Sequence, residues 1–236
     1  MSAKKVAIVQ SNYIPWKGYF DLINAVDEFI LYDDVQYTRR DWRNRNYIKT
    51  PKGLEWLTIP VDVKGKYHQR IRDTRVSEPG WAEGHWKSIL HNYAKASHFP
   101  RYRPLFEELY LGCKEEYLSR INHRFMTAIC DLLGIRTRIT WSMDYALEEG
   151  KTERLVGLCK SAGAQHYLSG PSARDYMDES LFAREGIEVS YMDYSGYPEY
   201  TQLHGAFEHT VSVLDLLFNE GPDAPRFMKS FVHGKG

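Results

Sequence analysis

Four arginines lie within seven residues of the segment D-D-V-Q-Y-T-R-R-D-W-R-N-R-N, which runs from residue 33 to residue 46. A planar guanidinium group donates two parallel hydrogen bonds to a phosphate or a carboxylate, so the segment predicts an anion-binding site. The two aspartates can orient the arginines or transfer a proton. A solvated surface is the alternative interpretation. The residues predicted for this site are Asp33, Asp34, Gln36, Arg39, Arg40, Arg43, Asn44, Arg45 and Asn46.

A second candidate segment, Q-S-N-Y-I-P-W-K-G-Y-F-D-L-I, runs from residue 10 to residue 23 and opens a helix after a short β-branched run. The unpaired N–H groups and partial positive charge of a helix N-terminus favour a phosphate or a carboxylate there. The alternative is a structural turn at the proline, with the aromatic side chains in the core. The residues predicted to bind substrate are Gln10, Asn12, Tyr13, Trp16, Gly18 and Tyr19.

Two further segments leave predicted strands: S-G-P-S-A-R-D-Y from residue 169 and D-Y-S-G-Y-P-E-Y from residue 193. The first has a proline at the first helical position among serines and an arginine, which suits phosphate binding, although helix capping explains the same serines. The tyrosines of the second offer stacking area for a sugar or a base, or simply cap the sheet. The residues predicted to bind substrate are Ser169, Gly170, Ser172, Arg174 and Tyr197.

The spacing of the histidines favours acid–base chemistry over metal binding. Neither His85 with His91 nor His204 with His209 has the spacing of a helical zinc motif, so the sequence predicts no metal site. His123 and His209 are the candidate catalytic histidines, because an imidazole titrates near neutral pH. A structural role is the alternative for both.

Cysteine usage and hydropathy indicate the compartment. Cys113, Cys130 and Cys159 are odd in number and widely spaced, which argues against a disulfide framework and favours a reducing environment. No apolar stretch approaches the roughly 18 residues that span a bilayer, and the N-terminus lacks the apolar core of a signal peptide. We therefore expect a cytoplasmic protein with no membrane insertion.

The balanced charge, 31 Lys+Arg against 31 Asp+Glu, conceals an asymmetry along the chain. Residues 39–75 carry a net charge of +7, and residues 144–220 carry a net charge of −9. Such polarity creates a local field for an anionic ligand, unless the two segments pair with each other on folding. Overall neutrality argues against broad nucleic-acid coating and leaves room for one phosphate site.

Short apolar runs alternate with segments of helical period, which predicts an α/β fold: a Rossmann-like parallel sheet of about five strands with flanking helices. We assign residues 1–236 to a single α/β domain with a helical insertion at residues 78–130. Ligands bind at the carboxyl ends of the strands in such sheets, so the candidate loops should converge there. Predicted strands lie at 6–9, 29–32, 56–63, 138–142, 166–170 and 187–194, and predicted helices at 19–26, 81–117 (broken at Pro100 and Pro104), 122–134, 152–164, 172–186 and 209–218.

The segments at 10–23, 32–46, 169–176 and 193–200 resemble the WbqC-like family of bacterial proteins, and the resemblance runs nearly end to end. That family occurs with surface-polysaccharide gene sets. The resemblance therefore implies work on a sugar nucleotide or a sugar modification in the cytoplasm.

A weaker resemblance is to the nucleotidyltransferase-like (HUP) α/β group, which includes pantothenate synthetase and the class I aminoacyl-tRNA synthetases. That group carries H-x-G-H at its first helix, where this chain has Trp16-Lys17-Gly18-Tyr19. Its serine and arginine phosphate loop is similar to residues 169–174, which implies a ligand of diphosphate or triphosphate size. The absence of both histidines argues against adenylyl transfer, because those imidazoles stabilise the developing phosphate charge.

The sequence thus predicts a transferase or ligase of O-antigen or capsule biosynthesis that attaches an acyl or aminoacyl group to a nucleotide-linked amino sugar. ATP or acyl-CoA is the candidate co-substrate, a nucleotide sugar or other phosphorylated small molecule the candidate partner, and tRNA a candidate donor. A homodimer is also compatible with the sequence. The alternatives are a nucleic-acid or tRNA-binding protein, a nucleotidyltransferase-like enzyme that uses ATP, and a non-catalytic scaffold.

Overall fold

The computed structural model describes residues 3–232. The strands are β1 (Lys5–Val9), β2 (Glu28–Leu31), β3 (Arg45–Thr50), β4 (Gly53–Thr58), β5 (Arg138–Trp141), β6 (His166–Ser169) and β7 (Glu188–Tyr191). The helices are α1 (Lys17–Asn24), α2 (Trp81–Tyr93), α3 (Phe99–Leu111), α4 (Leu118–Leu133), α5 (Thr152–Ser161), α6 (Glu179–Arg184), α7 (Val213–Glu220) and α8 (Lys229–Val232). Short 3-10 helices lie at Ile71–Asp73, Ser142–Asp144, Pro171–Asp175 and Gly221–Phe227.

Five strands form one parallel sheet in the order β5-β2-β1-β6-β7. The register pairs Val6 of β1 with Glu28 of β2 on one side and with Tyr167 of β6 on the other. The predicted α/β class and five-stranded Rossmann-like sheet are confirmed. The chain adds strands first on one side of β1 and then on the other, so the order reverses between β1 and β6. Open α/β sheets bind ligands outside the strand ends at such a switch point.

Both faces of the sheet are buried, as the short apolar strands require. Along β1, Ala7 packs into the core on the side of α1, α4 and α7, whereas Val6 and Ile8 pack into the core on the side of α5 and α6. Along β2, Phe29 and Ile30 divide in the same way, because successive side chains of a strand point to opposite faces. The two helical layers therefore hold the strand ends in fixed positions.

The hairpin of β3 and β4 and the helices α2, α3 and α4 lie in the sequence between β2 and β5. Side chains of all three helices belong to the same hydrophobic core as α1 and α7. The helix α4 ends at Leu133, close to the predicted end at residue 134, and Gly134, with a φ of 73°, is its left-handed C-terminal cap. The division into one domain with an insertion at 78–130 stays a prediction.

The structure differs from the predicted secondary structure at five points. Residues 45–50 form β3, which the sequence did not reveal because the strand buries the polar Asn46, and its partner β4 ends earlier than the predicted strand at 56–63. The helix predicted at 172–186 divides into a 3-10 turn and α6, since the side chain of Asp178 caps a new start. The helix α3 continues through Pro104. The helix α7 begins at Val213, where the Ser212 hydroxyl accepts a hydrogen bond from the Leu214 N–H group, rather than at residue 209.

Candidate functional site

A cavity of about 500 Å³ opens at the carboxyl ends of β1 and β6, and we name it the switch-point cavity. Four parts of the chain meet there: the end of β1, the residues after β2, the start of α5 and the turn after β6. This is the place where an open α/β sheet binds its ligand. Its lining residues are Ile8, Val9, Gln10, Tyr32, Val35, Gly150, Lys151, Arg154, Leu155, Tyr167, Ser169, Gly170, Ser172, Ala173 and Tyr176.

The last residue of β6 and the turn that follows it supply three residues that the sequence predicted. Ser169 is buried and donates a hydrogen bond to the Tyr167 hydroxyl at 3.3 Å, while Ser172 is exposed at the cavity surface. Gly170 is the N-cap of the following 3-10 helix, with Pro171 at its first position, as predicted. With Gln10 from the end of β1, these residues give the cavity a neutral hydrogen-bonding wall.

The start of α5 supplies the charge. Among the described residues that line the cavity, the two charged side chains are Lys151 and Arg154. The Arg154 Nε atom donates to the Glu148 carbonyl oxygen at 2.9 Å, and the Lys151 side chain has no ion-pair partner within residues 3–232. Gly150 has a φ of 95°, which favours glycine and turns the chain into the helix. Two cations beside the N-terminus of a helix favour an anion there.

Two tyrosines border these cations. Burial raises the pKa of Tyr32, although the Arg154 guanidinium acts in the opposite direction, so its hydroxyl stays protonated at neutral pH. Tyr176 is largely exposed at the mouth of the cavity. The cavity thus combines cations, hydroxyl groups and aromatic surface, which is a suitable environment for a phosphorylated ligand that carries a ring.

The four predicted arginines contact different parts of the protein. Arg39 donates to the Val63 carbonyl oxygen at 2.7 Å, and Arg45 donates to the carbonyl oxygen of Arg40 while its guanidinium lies 4.0 Å from the Trp56 ring centroid. The exposed Arg40 adopts a left-handed φ of 59°. None of the four is among the described residues that line the switch-point cavity.

Arg43 joins the switch-point cavity to a second, smaller one. Its guanidinium donates to the side-chain oxygens of both Gln10 and Asn12. Gln10 lines the switch-point cavity, and Asn12 lines a pocket of about 210 Å³ that we name the tryptophan pocket. The tryptophan pocket is lined by Asn12, Pro15, Trp16, Trp42, Asn46 and Thr210, of which Asn12, Trp16 and Asn46 were predicted.

The two predicted aspartates are held inside the protein. Asp33 is fully buried, where it accepts hydrogen bonds from the Ser11 N–H group at 2.8 Å and from the Ser119 hydroxyl. Burial raises the pKa of Asp33, and these donors oppose that shift. Asp34 accepts from Arg70 at 2.8 Å and pairs with Arg72 at 2.9 Å. Both carboxylates fix the loop after β2.

The two predicted histidines lie apart from the described lining of the switch-point cavity. The ring of His123, on α4, stacks on Trp141 at the end of β5, with centroids 5.1 Å apart. Burial and the neighbouring Arg120 lower the pKa of His123. His209 lies edge-on to Phe207, and its buried Nδ1 atom has no hydrogen-bond partner among the described residues.

The remaining predicted residues make contacts within the protein. Tyr13 is fully buried and hydrogen-bonds His85 and Tyr110, and the Tyr19 hydroxyl donates to the Gln10 carbonyl oxygen at 2.9 Å. Arg174 lies 4.5 Å from the Tyr191 ring centroid. Hydrogen bonds also tie down Gln36 (to the Tyr67 carbonyl oxygen), Asn44 (to the Ile59 carbonyl oxygen) and Tyr197 (to the Asp21 carboxylate).

A comparison with models of known protein families shows to which family this chain belongs. The model of the WbqC-like protein family matches residues 10–227, which include nearly all of the lining of both cavities. The chain belongs to the WbqC-like protein family. The resemblance inferred from the sequence motifs is therefore confirmed.

A relative of this WbqC-like protein supports the assignment. This chain is 55% identical over 226 residues to the uncharacterized protein Rv1507c of Mycobacterium tuberculosis (strain ATCC 25618 / H37Rv). The matched residues cover 96% of this chain and 98% of the relative. No solved structure matches the chain. These relationships establish the family.

Sequence reasoning missed the residues of this WbqC-like protein that bring charge to the switch-point cavity. Lys151 and Arg154 line the cavity but lie in the segment of net negative charge, residues 144–220, where the charge pattern does not indicate an anion site. One signal was present: the loop before α5 leaves the strand β5, as the other candidate loops leave theirs.

Within residues 3–232, no cluster of three or more histidine, cysteine or acidic side chains could hold a metal ion. No helix in the same range combines the length and the hydropathy needed to cross a bilayer.

Proposed function

We propose that this protein is a transferase or ligase of bacterial surface-polysaccharide biosynthesis that joins an acyl or aminoacyl group to the amine of a nucleotide-linked amino sugar. In this proposal the switch-point cavity holds the phosphates of the nucleotide. One observation carries it: at the ligand-binding edge of the sheet, Lys151 and Arg154 line a large cavity with no carboxylate among its described lining residues. Family membership supports the polysaccharide context.

The reaction needs a neutral amine, which attacks the acyl carbonyl carbon and forms an amide bond. The bond from that carbon to the leaving group breaks, and the amine releases one proton. ATP, acyl-CoA and aminoacyl-tRNA are the candidate sources of the activated acyl group. The cations of the cavity would orient the acceptor through its phosphates, since positioning accounts for much of the rate of such a two-substrate reaction.

Of the groups predicted for proton transfer, we retain His123 as the base. Its lowered pKa keeps the ring neutral near pH 7, so that it can accept a proton, and its stacking on Trp141 places it at the carboxyl edge of β5. Asp33 and Asp34 already accept hydrogen bonds from fixed partners, and His209 lies near Phe207 in the segment before α7.

Thermal unfolding of the purified full-length chain tests the proposal. We expect UDP, dTDP and their amino-sugar conjugates to raise the melting temperature, because a ligand that binds only the folded state stabilises it. Acetyl-CoA, ATP and a charged tRNA pool are then added with each amino-sugar conjugate, and the products are analysed by mass spectrometry. An absence of stabilisation by every nucleotide at millimolar concentration would contradict the proposal.

One observation favours a second candidate function, binding of single-stranded nucleic acid. The hairpin bears an aromatic and cationic face: Tyr47 stacks on Trp56 at 3.6 Å, Arg45 covers Trp56, and Trp42 is exposed. Such faces bind successive bases and phosphates. Binding of fluorescent single-stranded RNA that weakens steeply as salt rises would support this function, whereas the proposed transferase requires no such binding.

A further inference from the structure

We propose that the tryptophan pocket binds the pyranose ring of the acceptor sugar. The identity of the acceptor rests on the proposed function, whereas the recognition of a neutral ring rests on the pocket itself. Its walls are the indoles of Trp16 and Trp42, and its described lining residues carry no charged side chain. A phosphate or a carboxylate would find no cation among them, so the pocket selects a neutral group.

Apolar walls and a few polar groups suit a sugar ring. The C–H groups on one face of a pyranose form an apolar surface that packs on the electron-rich face of an indole. The Asn12 amide nitrogen and the two indole N–H groups have no hydrogen-bond partner within residues 3–232. These three donors are available to the hydroxyl or acetamido oxygens of a sugar.

The backbone is strained beside this pocket. Ile14, next to the lining residue Pro15, has a φ of 36°, a left-handed conformation that a β-branched residue rarely adopts. Asn46 stabilises the turn, since its Nδ2 atom donates to the carbonyl oxygens of Tyr13 at 3.2 Å and Ile14 at 3.0 Å. Strain that is held in this way recurs at ligand-binding sites.

Gly18 gives Trp16 its place in the pocket wall. A Cβ atom at residue 18 would lie 2.3 Å from the Trp16 ring, so any larger residue must displace the indole. The rings of Tyr194 and Tyr197 pack edge-on against Trp16, with centroids 5.2 and 5.7 Å away. The role of Gly18 is therefore to let the indole lie against the backbone of α1.

The two cavities bind different parts of a nucleotide sugar: the tryptophan pocket binds the sugar ring, and the switch-point cavity binds the nucleoside diphosphate. The tryptophan pocket, at about 210 Å³, is less than half the volume of the switch-point cavity, at about 500 Å³, and suits one ring rather than a nucleoside diphosphate. The guanidinium of Arg43 binds Gln10 in one lining and Asn12 in the other. The Gln10–Arg43–Asn12 bridge keeps the two walls in a fixed relation.

Paired ligands separate this inference from the proposed function. Isothermal titration compares UDP with UDP-N-acetylglucosamine, and dTDP with dTDP-glucose. In at least one pair, we expect the sugar conjugate to bind about tenfold more tightly than its diphosphate. We expect Trp42→Ala and Gly18→Ala to remove this gain while affinity for the diphosphate stays within about twofold, and Trp42→Phe to keep part of it because the ring is retained.

Leu54→Ala is the matched control, because Leu54 and Trp42 are both 40% exposed near the hairpin. It should leave the gain unchanged, and circular dichroism verifies that each variant is folded. A gain that survives both Trp42→Ala and Gly18→Ala overturns the inference. If no nucleotide binds, the proposed function fails, and saturation-transfer NMR with free N-acetylglucosamine and glucosamine decides the inference: a signal lost in Trp42→Ala supports it, and no signal overturns it.

Discussion

The arginine-rich segment at 39–45 and the start of α5 at 150–154 both carry cations, but they use them differently. In the first, Arg39, Arg43 and Arg45 donate to carbonyl or amide oxygens of the protein itself. In the second, Lys151 has no ion-pair partner within residues 3–232, and Arg154, although its Nε atom donates to the Glu148 carbonyl oxygen, lines the same cavity as Lys151. A guanidinium that already has partners must lose them before it binds a ligand. The availability of a cation is therefore a better guide to an anion site than the local density of charge.

Removal of the α5 cations is the strongest test of this contrast. We expect Lys151→Ala combined with Arg154→Ala to lower the affinity for UDP or dTDP by at least about 100-fold, since each charge-assisted hydrogen bond contributes roughly 1.5–3 kcal/mol. Titration calorimetry measures the loss. Arg136→Ala is the control. Arg136 is highly exposed and precedes β5, so it lies at the amino ends of the strands, opposite the carboxyl ends where the cavity opens. An equal loss in the control would show that the effect is one of overall charge.

Arg43→Ala should lower the stability of the folded protein and leave its affinity for nucleotides largely unchanged. The substitution removes two hydrogen bonds to Gln10 and Asn12, so we expect the free energy of unfolding to fall by about 2 kcal/mol. Urea denaturation measures this change, and the variant with both Lys151→Ala and Arg154→Ala should lose only about 1 kcal/mol, because it lacks one hydrogen bond, from Arg154 to the Glu148 carbonyl oxygen. A fully stable Arg43→Ala protein that has lost its nucleotide affinity would reverse the contrast.

Lys17 extends the comparison to a buried cation. Its Nζ atom donates to the Pro198 carbonyl oxygen at 2.8 Å and lies 5.1 Å from the Tyr197 ring centroid. Burial lowers its pKa to about 8, although the carboxylates of Asp21 and Glu199 oppose the shift. The folded protein therefore binds fewer protons at this site than the unfolded chain between about pH 8 and about pH 10.4, and stability at this site rises with pH there.

Denaturation from about pH 7.5 to about pH 9.5, below the usual range of tyrosine ionisation, checks this sign. We expect the wild type to gain about 1 kcal/mol relative to Lys17→Met over that range. Parallel curves for the two proteins would show that Lys17 titrates as an ordinary exposed lysine.

Arg174→Ala should have the smallest effect. The guanidinium of Arg174 lies over the ring of Tyr191 and is outside the described lining of the switch-point cavity, although the residue follows Ser172 closely. We expect the affinity for UDP or dTDP to change by less than about twofold by calorimetry. A tenfold loss would place this arginine at the ligand and restore the phosphate loop that the sequence predicted.

Sequence periodicity predicted the sheet because its strands are short apolar runs between helices, as in β1 and β2. It did not reveal β3, in which the buried Asn46 breaks the apolar alternation. The predicted sheet also led us to expect that the loops after its strands converge, because the carboxyl ends of parallel strands lie at the same side of the sheet. Gln10, Ser169, Gly170 and Ser172 do line one cavity. The orientation of Lys151 and Arg154 could not be predicted in this way, because it depends on how α5 packs on the sheet.

The pairing of β1 with β6 also sets when the switch-point cavity can form. Lys4 and Gln165, which hydrogen-bond beside that pair, are 161 residues apart in the chain. At a synthesis rate of roughly 5–20 residues per second, β1 waits on the order of ten to thirty seconds for its neighbour. During that interval the edge of β1 has no partner on that side, and the cavity has only part of its wall. A chain stopped before residue 166 would have an open strand edge, which is prone to aggregation, and an incomplete switch-point cavity.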